Sequence, residues 1–156
     1  MPWKKTKRNR KTKGRFNALS QVMNMDYFAP NMSLSEVNRI SMLGLAHVGD
    51  GVYELMTRTR LCLEGHTAIG ELHRLTVSCV KAPAQAKAAE KILPLLDEEE
   101  RGLYKRGRNA HVHGVPQGAN TGEYHAATGL EALFGYLYLL GRQERLNTLF
   151  AAIMED

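Results

Sequence analysis

The chain has 156 residues, with 21 lysines and arginines against 16 aspartates and glutamates, and a formal net charge of +5. This length fits one domain with a hydrophobic core of its own. No apolar run reaches the roughly 18 residues that a transmembrane helix needs, and no apolar segment follows the basic N-terminus as in a signal peptide. The two cysteines form no Cys-x-x-Cys motif, so we expect a reduced, cytoplasmic protein without a membrane partner.

The positive charge is concentrated at the N-terminus. The first fifteen residues carry eight of the 21 basic side chains, and no acidic residue occurs before Asp26. Such a block predicts a disordered arm, residues 1–15, that binds a polyanion, and nucleic acid is the first candidate because each neutralised phosphate releases counterions. A mitochondrial or chloroplast transit peptide is the alternative, although the segment is poor in serine. Residues 16–156 are predicted to form a single domain.

The first helices are predicted after residue 33. Ser33 and Ser35 are both candidate N-caps, and Ser33 and Glu36 have the spacing of a capping box, in which two side chains satisfy free N–H groups at a helix start. No helix breaker follows before Gly44, so this helix is predicted to run into a long central helix over residues 43–63. The apolar residues that recur there at helical spacing are Leu45, Ala46, Val48, Val52, Leu55 and Met56.

Two features distinguish the central helix from an ordinary core helix. Gly44, Gly49 and Gly51 each destabilise a helix interior by roughly 1 kcal/mol relative to alanine, so close approach of another helix or a ligand is expected to compensate. Asp50 lies between two of these glycines in an apolar stretch. An ionised carboxylate that leaves water needs a paired charge or a metal ion, so Asp50 is a candidate metal ligand.

Two shorter helices are predicted further along the chain. Pro83 fits the first turn of an alanine-rich helix that ends near Ile92, and Asp97 fits the N-cap of the next helix. That helix ends in KRGRNA, residues 105–110. Its cations either stabilise the negative end of the helix dipole or bind phosphate.

A long loop is predicted over residues 109–124, which show neither helical nor strand periodicity. A segment of this length in a compact domain is usually functional or disordered. Its His111 and His113 are expected to be solvated or to contact phosphate, because a His-x-His pair alone is weak evidence for a metal site.

A second apolar helix with one isolated acid is predicted over residues 126–140. Its single charge is Glu131, and Gly129 and Gly135 lie close by. If the two acidic helices pack together, Asp50 and Glu131 come to one place. Mg²⁺ is commonly bound by one or two carboxylates together with water and substrate phosphate. The pair therefore predicts a Mg²⁺ site.

A purely structural interpretation of these acids stays open. Either acid could face solvent, or pair with Arg58 or Arg142. Asp50, Glu54 and Arg58 share one helical stripe, on which Glu54 and Arg58 have the spacing of an ordinary ion pair. Alternatively, Glu54 holds a water of the metal's shell. A last amphipathic helix follows Gly141, no strand is predicted, and the chain is assigned to the all-α class.

Three motifs in the sequence resemble those of a known family. GLAHVGDGVYEL, around Asp50, is similar to the signature helix of ribonuclease III, and GLEALFGYLYL, around Glu131, resembles that family's second acidic helix. KRGRNA between them resembles the Mini-ribonuclease III branch, which has the catalytic domain and no double-stranded-RNA-binding domain. The resemblance covers about residues 38–154.

The resemblance implies the ribonuclease III endonuclease-domain fold and a homodimer that hydrolyses both strands of an RNA duplex with Mg²⁺. Asp50 and Glu131 match catalytic metal-binding carboxylates of the family, and the ion they hold would activate water for attack on a phosphodiester. The branch implies maturation of 23S ribosomal RNA precursor. The residues expected to contact RNA through its shape and backbone are Lys105, Arg106, Arg108, Asn109, His111 and His113.

The chain departs from full-length ribonuclease III at two positions. Ala46 and Thr128 stand where those enzymes have a glutamate and an aspartate, so one Mg²⁺ per site is expected rather than two. The missing carboxylates also support an alternative, a non-catalytic RNA-binding or ribosome-assembly protein. A helical hydrolase of small phosphate esters is a further alternative, and it predicts a closed pocket and no use for the basic arm.

Overall fold

The computed structural model of the protein describes residues 25–110 and 120–156. Over these ranges the chain forms helices and no strand, which confirms the all-α class. The elements are α1 (Leu34–Val37), α2 (Met42–Leu63), α3 (Ile69–Val80), α4 (Ala82–Ile92), a 3₁₀ turn (Leu93–Leu95), α5 (Glu98–Arg108), α6 (Thr121–Leu139) and α7 (Gln143–Met154). No helix in the described ranges is long and apolar enough to cross a lipid bilayer. The predicted basic arm, His111 and His113 lie outside the described residues.

Side-chain caps define several helix starts. Ser33 and Glu36 form the predicted capping box at α1, and Asp97 forms another with Glu100 at α5. The prediction that α1 runs into α2 is wrong. The Ser41 hydroxyl accepts a hydrogen bond from the Gly44 backbone N–H at 3.0 Å and so starts a separate helix. A serine N-cap is a start signal that the absence of a breaker does not reveal.

The start of α6 also differs from the prediction. This helix begins at Thr121 rather than near Ala126, because the Asn120 side chain caps it by accepting from the Glu123 N–H at 3.2 Å. The cap satisfies a free donor and outweighs the low helix propensity of Gly122. Residues 121–124 therefore belong to α6 and not to the predicted loop.

Helix α6 lies at the centre of the molecule. Five of its apolar side chains are completely buried: Leu130, Ala132, Leu133, Phe134 and Leu137. The Tyr53 ring of α2 contacts Phe134 edge-on, with the ring centroids 5.3 Å apart, and contacts Phe150 of α7 at 5.7 Å. Edge-to-face packing of this kind adds to the stabilisation from apolar burial. The central helix and the second acidic helix are thus neighbours in the core.

A buried ion pair joins α5 to α7. Arg145 donates two hydrogen bonds of 2.8 Å to the carboxylate of Glu100, which is almost fully buried. These hydrogen bonds from Arg145 hold the pKa of Glu100 below its ordinary value despite the burial. The pair fixes the start of α5, and therefore the direction in which its basic C-terminal end points.

Candidate metal centre

Helices α2 and α6 touch backbone to backbone at two glycines. A Cβ placed on Gly49 would lie 1.6 Å from the carbonyl oxygen of Glu131, and one placed on Gly135 would lie 2.0 Å from the carbonyl oxygen of Leu45. Neither position accepts any other residue without moving a helix. The close approach predicted from the glycines therefore occurs between the two acidic helices, and it places Asp50 beside Glu131.

The two carboxyl groups interact electrostatically. Asp50 is exposed, whereas Glu131 is largely covered by protein. Burial and, as the smaller cause, the negative charge of Asp50 together raise the pKa of Glu131 to about 7, against an opposing effect of the Gln85 amide. The pair thus places two acids side by side, one of them poorly solvated, and a divalent cation would neutralise their negative charge.

The two missing family carboxylates leave no gap in the structure. Ala46 and Thr128 are both buried, and the Thr128 hydroxyl donates to the carbonyl oxygen of Tyr124 at 3.0 Å. Within residues 25–110 and 120–156, no group of three or more His, Cys, Asp or Glu side chains is placed to hold a metal ion. Asp50 and Glu131 fit an ion held by two carboxylates, with water or substrate oxygens as its other ligands.

Glu54 forms the ion pair that the structural interpretation anticipated. Its carboxylate accepts a hydrogen bond from Arg58 Nε at 3.0 Å, one helical turn further along α2. Surface pairs of this type contribute little to stability. Contact of Glu54 with a metal-bound water stays a prediction.

Four of the six predicted RNA-contacting residues lie in the described chain, at the end of α5. Lys105, Arg106, Arg108 and Asn109 are all exposed there. This end is close to α6, because a Cβ on Gly107 would lie 2.7 Å from the Cβ of Ala132. Ala132 follows Glu131 directly, so the basic end of α5 and the acidic pair belong to one region of the fold.

Gln85, which the sequence motifs do not single out, lies beside the candidate site. It is 1% exposed, and its Nε2 has no hydrogen-bond partner among the described residues. The amide nevertheless lies close enough to the Glu131 carboxyl to lower its pKa. One signal was available: Gln85 shares a helical face with Ala88, Ala89 and Ile92, and is the only polar residue on it.

The raised pKa of Glu131 predicts how stability depends on pH. In the absence of metal, the folded protein keeps a proton on Glu131 between pH 4.5, the ordinary value, and about 7, while the unfolded chain releases it. The free energy of unfolding is therefore expected to fall as pH rises through this window, by up to about 3 kcal/mol. Urea unfolding at several pH values measures it. Glu131→Gln should remove this component, and an unchanged pH dependence in that variant would contradict the prediction.

Two packed helices with paired acids, close to a basic helix end, supply what a metal-dependent phosphodiester hydrolase needs.

Comparison with known proteins leads to the same class of protein, a hydrolase of phosphodiester bonds. The sequence profile of the Ribonuclease III domain matches residues 43–142. Mini-ribonuclease 3 of Symbiobacterium thermophilum is 43% identical over 121 residues, which are 78% of this chain and 93% of that protein. Mini-ribonuclease 3 of Enterococcus faecalis is 41% identical over 118 residues, 74% of this chain and 89% of the relative.

A solved structure agrees with these sequence matches. A protein from Fusobacterium nucleatum, known from its crystal structure, superimposes with a TM-score of 0.67 at 32% identity, over 73% of this chain and 91% of that chain. The chain belongs to the ribonuclease III family, and it is an endoribonuclease of the ribonuclease III type. The resemblance to Mini-ribonuclease III is thereby confirmed. The family acts on double-stranded RNA, generally with a divalent metal ion and typically as a dimer.

Proposed function

We propose that this endoribonuclease is a Mg²⁺-dependent homodimer that cleaves both strands of an RNA duplex in the maturation of 23S ribosomal RNA precursor. Asp50 and Glu131 are the proposed catalytic carboxylates. The observation that carries the proposal is the contact between Gly49 and the backbone of Glu131, which brings the two acids together. The cytoplasmic location and an RNA-binding role for the arm, residues 1–15, remain part of this proposal.

Asp50 and Glu131 have different surroundings, and their proposed roles differ accordingly. Asp50 is exposed and can present its carboxylate to an ion and to an RNA backbone that arrives from solvent. Glu131 lies on the core helix α6, so the packing of that helix fixes the position of its backbone. When bound, the ion supplies Lewis-acid chemistry, lowering the pKa of water and balancing negative charge on the phosphate. With this chemistry available, no histidine base is needed.

A cleavage assay tests the function. The substrates are an end-labelled RNA duplex, its separate strands and a stem of 23S ribosomal RNA precursor, each with Mg²⁺ or with EDTA. We expect both strands of the duplex to be cut only with Mg²⁺ and the single strands to remain intact. Failure to cut any duplex would overturn the proposal, while cleavage of other duplexes but not of the precursor stem would remove the ribosomal substrate alone.

The exposed cations at the end of α5 are proposed to bind the RNA backbone. Alanine in place of Lys105, Arg106 or Arg108 should weaken binding to all duplexes, whatever their sequence, and each should reduce the dependence of log Kd on log salt by about 1. Fluorescence anisotropy at several salt concentrations measures both quantities. Arg74→Ala, an exposed cation on α3, is the matched control, and an equal loss there would mean that the effect is not local.

An apolar face of α2 is proposed as the homodimer interface. Leu55 and Leu63 are 54% and 83% exposed, and Phe28 is 79% exposed. A groove between α2 and α7 is lined by Val48, Val52, Leu55, Met56, Leu146 and Asn147 together with Phe28 and Tyr138. A second copy of the chain is the proposed occupant, because the family is typically dimeric and the groove lies along α2, the helix that also carries Asp50. A two-fold axis here would place one acidic pair against each RNA strand.

A charge in this groove should separate the protomers. Leu55→Glu is expected to weaken self-association at least about tenfold, because a carboxylate would be buried without a partner. Sedimentation equilibrium measures the change, and duplex cleavage should decline with it. Ile69→Glu alters an apolar residue that is 82% exposed and lines no part of the groove, so it should leave association unchanged. A wild-type protein that stays monomeric would exclude the dimer.

A further inference from the structure

Gln85 presents an unsatisfied buried donor. It lies on α4, on the face that packs into the core with Ala88 and Ile92, and only 1% of its surface is exposed. Its Nε2 is the one buried side-chain nitrogen or oxygen without a hydrogen-bond partner among the residues that the structure describes. An unpaired buried donor typically destabilises a protein by about 1–3 kcal/mol, so such a group calls for a physical explanation.

The location of this amide supplies the explanation. Three helices meet here: α2 contributes Asp50, α6 contributes Glu131, and α4 contributes Gln85. The amide is close enough to Glu131 to affect its carboxyl group, yet Nε2 does not reach hydrogen-bonding geometry with it. The unpaired donor therefore lies beside the carboxylate that our proposed function makes a metal ligand.

We propose that Gln85 is a positioning residue for the metal site, whose Nε2–H donates a hydrogen bond to the Glu131 carboxylate and fixes its orientation toward the ion. The inference rests on the proposed function. An amide N–H cannot bind a cation itself, but it can hold the carboxylate oxygen that the cation leaves free. Hydrogen bonds of this kind to ligating groups commonly contribute 10- to 100-fold to metal affinity.

The test measures metal affinity and stability separately. Gln85→Met keeps the size of the side chain and removes the donor. Mn²⁺ binding without RNA, followed by electron paramagnetic resonance, is expected to weaken about 10- to 100-fold. Urea unfolding without metal should show equal or greater stability, because the unpaired donor is gone. Thr57→Val is the matched control: it removes a buried hydroxyl from α2, one that donates to the Tyr53 carbonyl oxygen, and should leave Mn²⁺ affinity unchanged.

The outcomes separate this inference from the proposed function. If the wild type binds Mn²⁺ and cleaves duplex RNA, and Gln85→Met does both equally well, Gln85 has no positioning role and the function stands. If the wild type neither binds Mn²⁺ nor cleaves, both fail. Should Gln85→Met not fold, Gln85→Asn keeps the amide but withdraws it by one methylene. It is also expected to weaken Mn²⁺ binding, and wild-type affinity in that variant would overturn the inference.

Discussion

Asp50→Asn is expected to abolish duplex cleavage while leaving RNA binding in place. The substitution keeps the size of the side chain and removes the charge that would hold the ion beside Glu131. Loss of a metal ion from a phosphoryl-transfer site removes several kcal/mol of transition-state stabilisation, so the rate should fall at least about a hundredfold. Single-turnover cleavage of a labelled duplex and anisotropy binding in Mg²⁺ measure the two quantities. Cleavage at the wild-type rate would exclude Asp50 as a ligand.

The same variant has a second readout that does not involve RNA. The negative charge of Asp50 raises the pKa of Glu131, although burial is the larger cause. In Asp50→Asn the pKa of Glu131 should therefore fall but stay above its ordinary value. Carboxyl NMR titration of the metal-free protein follows it. Glu144→Gln, which neutralises an exposed acid on α7, is the control and should affect neither the titration nor cleavage.

Gly49→Ala is expected to destabilise the protein severely, whereas Gly51→Ala should stabilise it. A Cβ on Gly49 would lie 1.6 Å from the carbonyl oxygen of Glu131, so α2 and α6 would have to separate, while a Cβ on Gly51 meets no atom within 4 Å. We expect the first change to lower the free energy of unfolding by about 3 kcal/mol or more, and the second to raise it by up to about 1 kcal/mol. Urea unfolding of both variants measures the difference.

The comparison of Gly49→Ala with Gly51→Ala is informative because the two glycines occupy the same helix on either side of Asp50. Equal effects at both positions would mean that helix propensity alone governs them, and that the contact between α2 and α6 is looser than described. If Gly49→Ala stays folded, a loss of Mn²⁺ binding would show that the separation of the helices also separates the two acids.

Local signals were sufficient for most of the helices. The capping boxes at Ser33 and Asp97 and the central helix follow from interactions three or four residues apart, which the sequence displays directly. The α6 start was missed because Asn120 lies within a glycine-rich segment that resembles a loop. The starts of α2 and α6 were both predicted wrongly. In each case one N-cap residue, Ser41 or Asn120, decides where the helix begins, whereas the prediction relied on the composition of several neighbouring positions.

The acidic pair could be foreseen, but its geometry could not. An isolated acid beside glycines in each of two apolar helices is enough to suggest a shared site, because buried charge and lost helix propensity both need compensation. Which glycine makes the contact was decided only by the packing of α2 on α6. From the sequence, Gly44, Gly49 and Gly51 are equally good candidates for a close helix contact. In the structure Gly49 contacts the backbone of Glu131, whereas no atom lies within 4 Å of a Cβ placed on Gly51.

By itself, then, the sequence determined most of the helices, the two acids and the family, since these depend on neighbours along the chain and on short motifs. Only the tertiary structure decided that Glu131 is largely covered by protein beside Asp50 and that Gln85 of α4 lies near its carboxyl group. Gln85 and Glu131 are far apart in sequence, and their proximity depends on how three helices pack. No pattern of neighbouring residues in the sequence predicts that Gln85 and Glu131 lie close together.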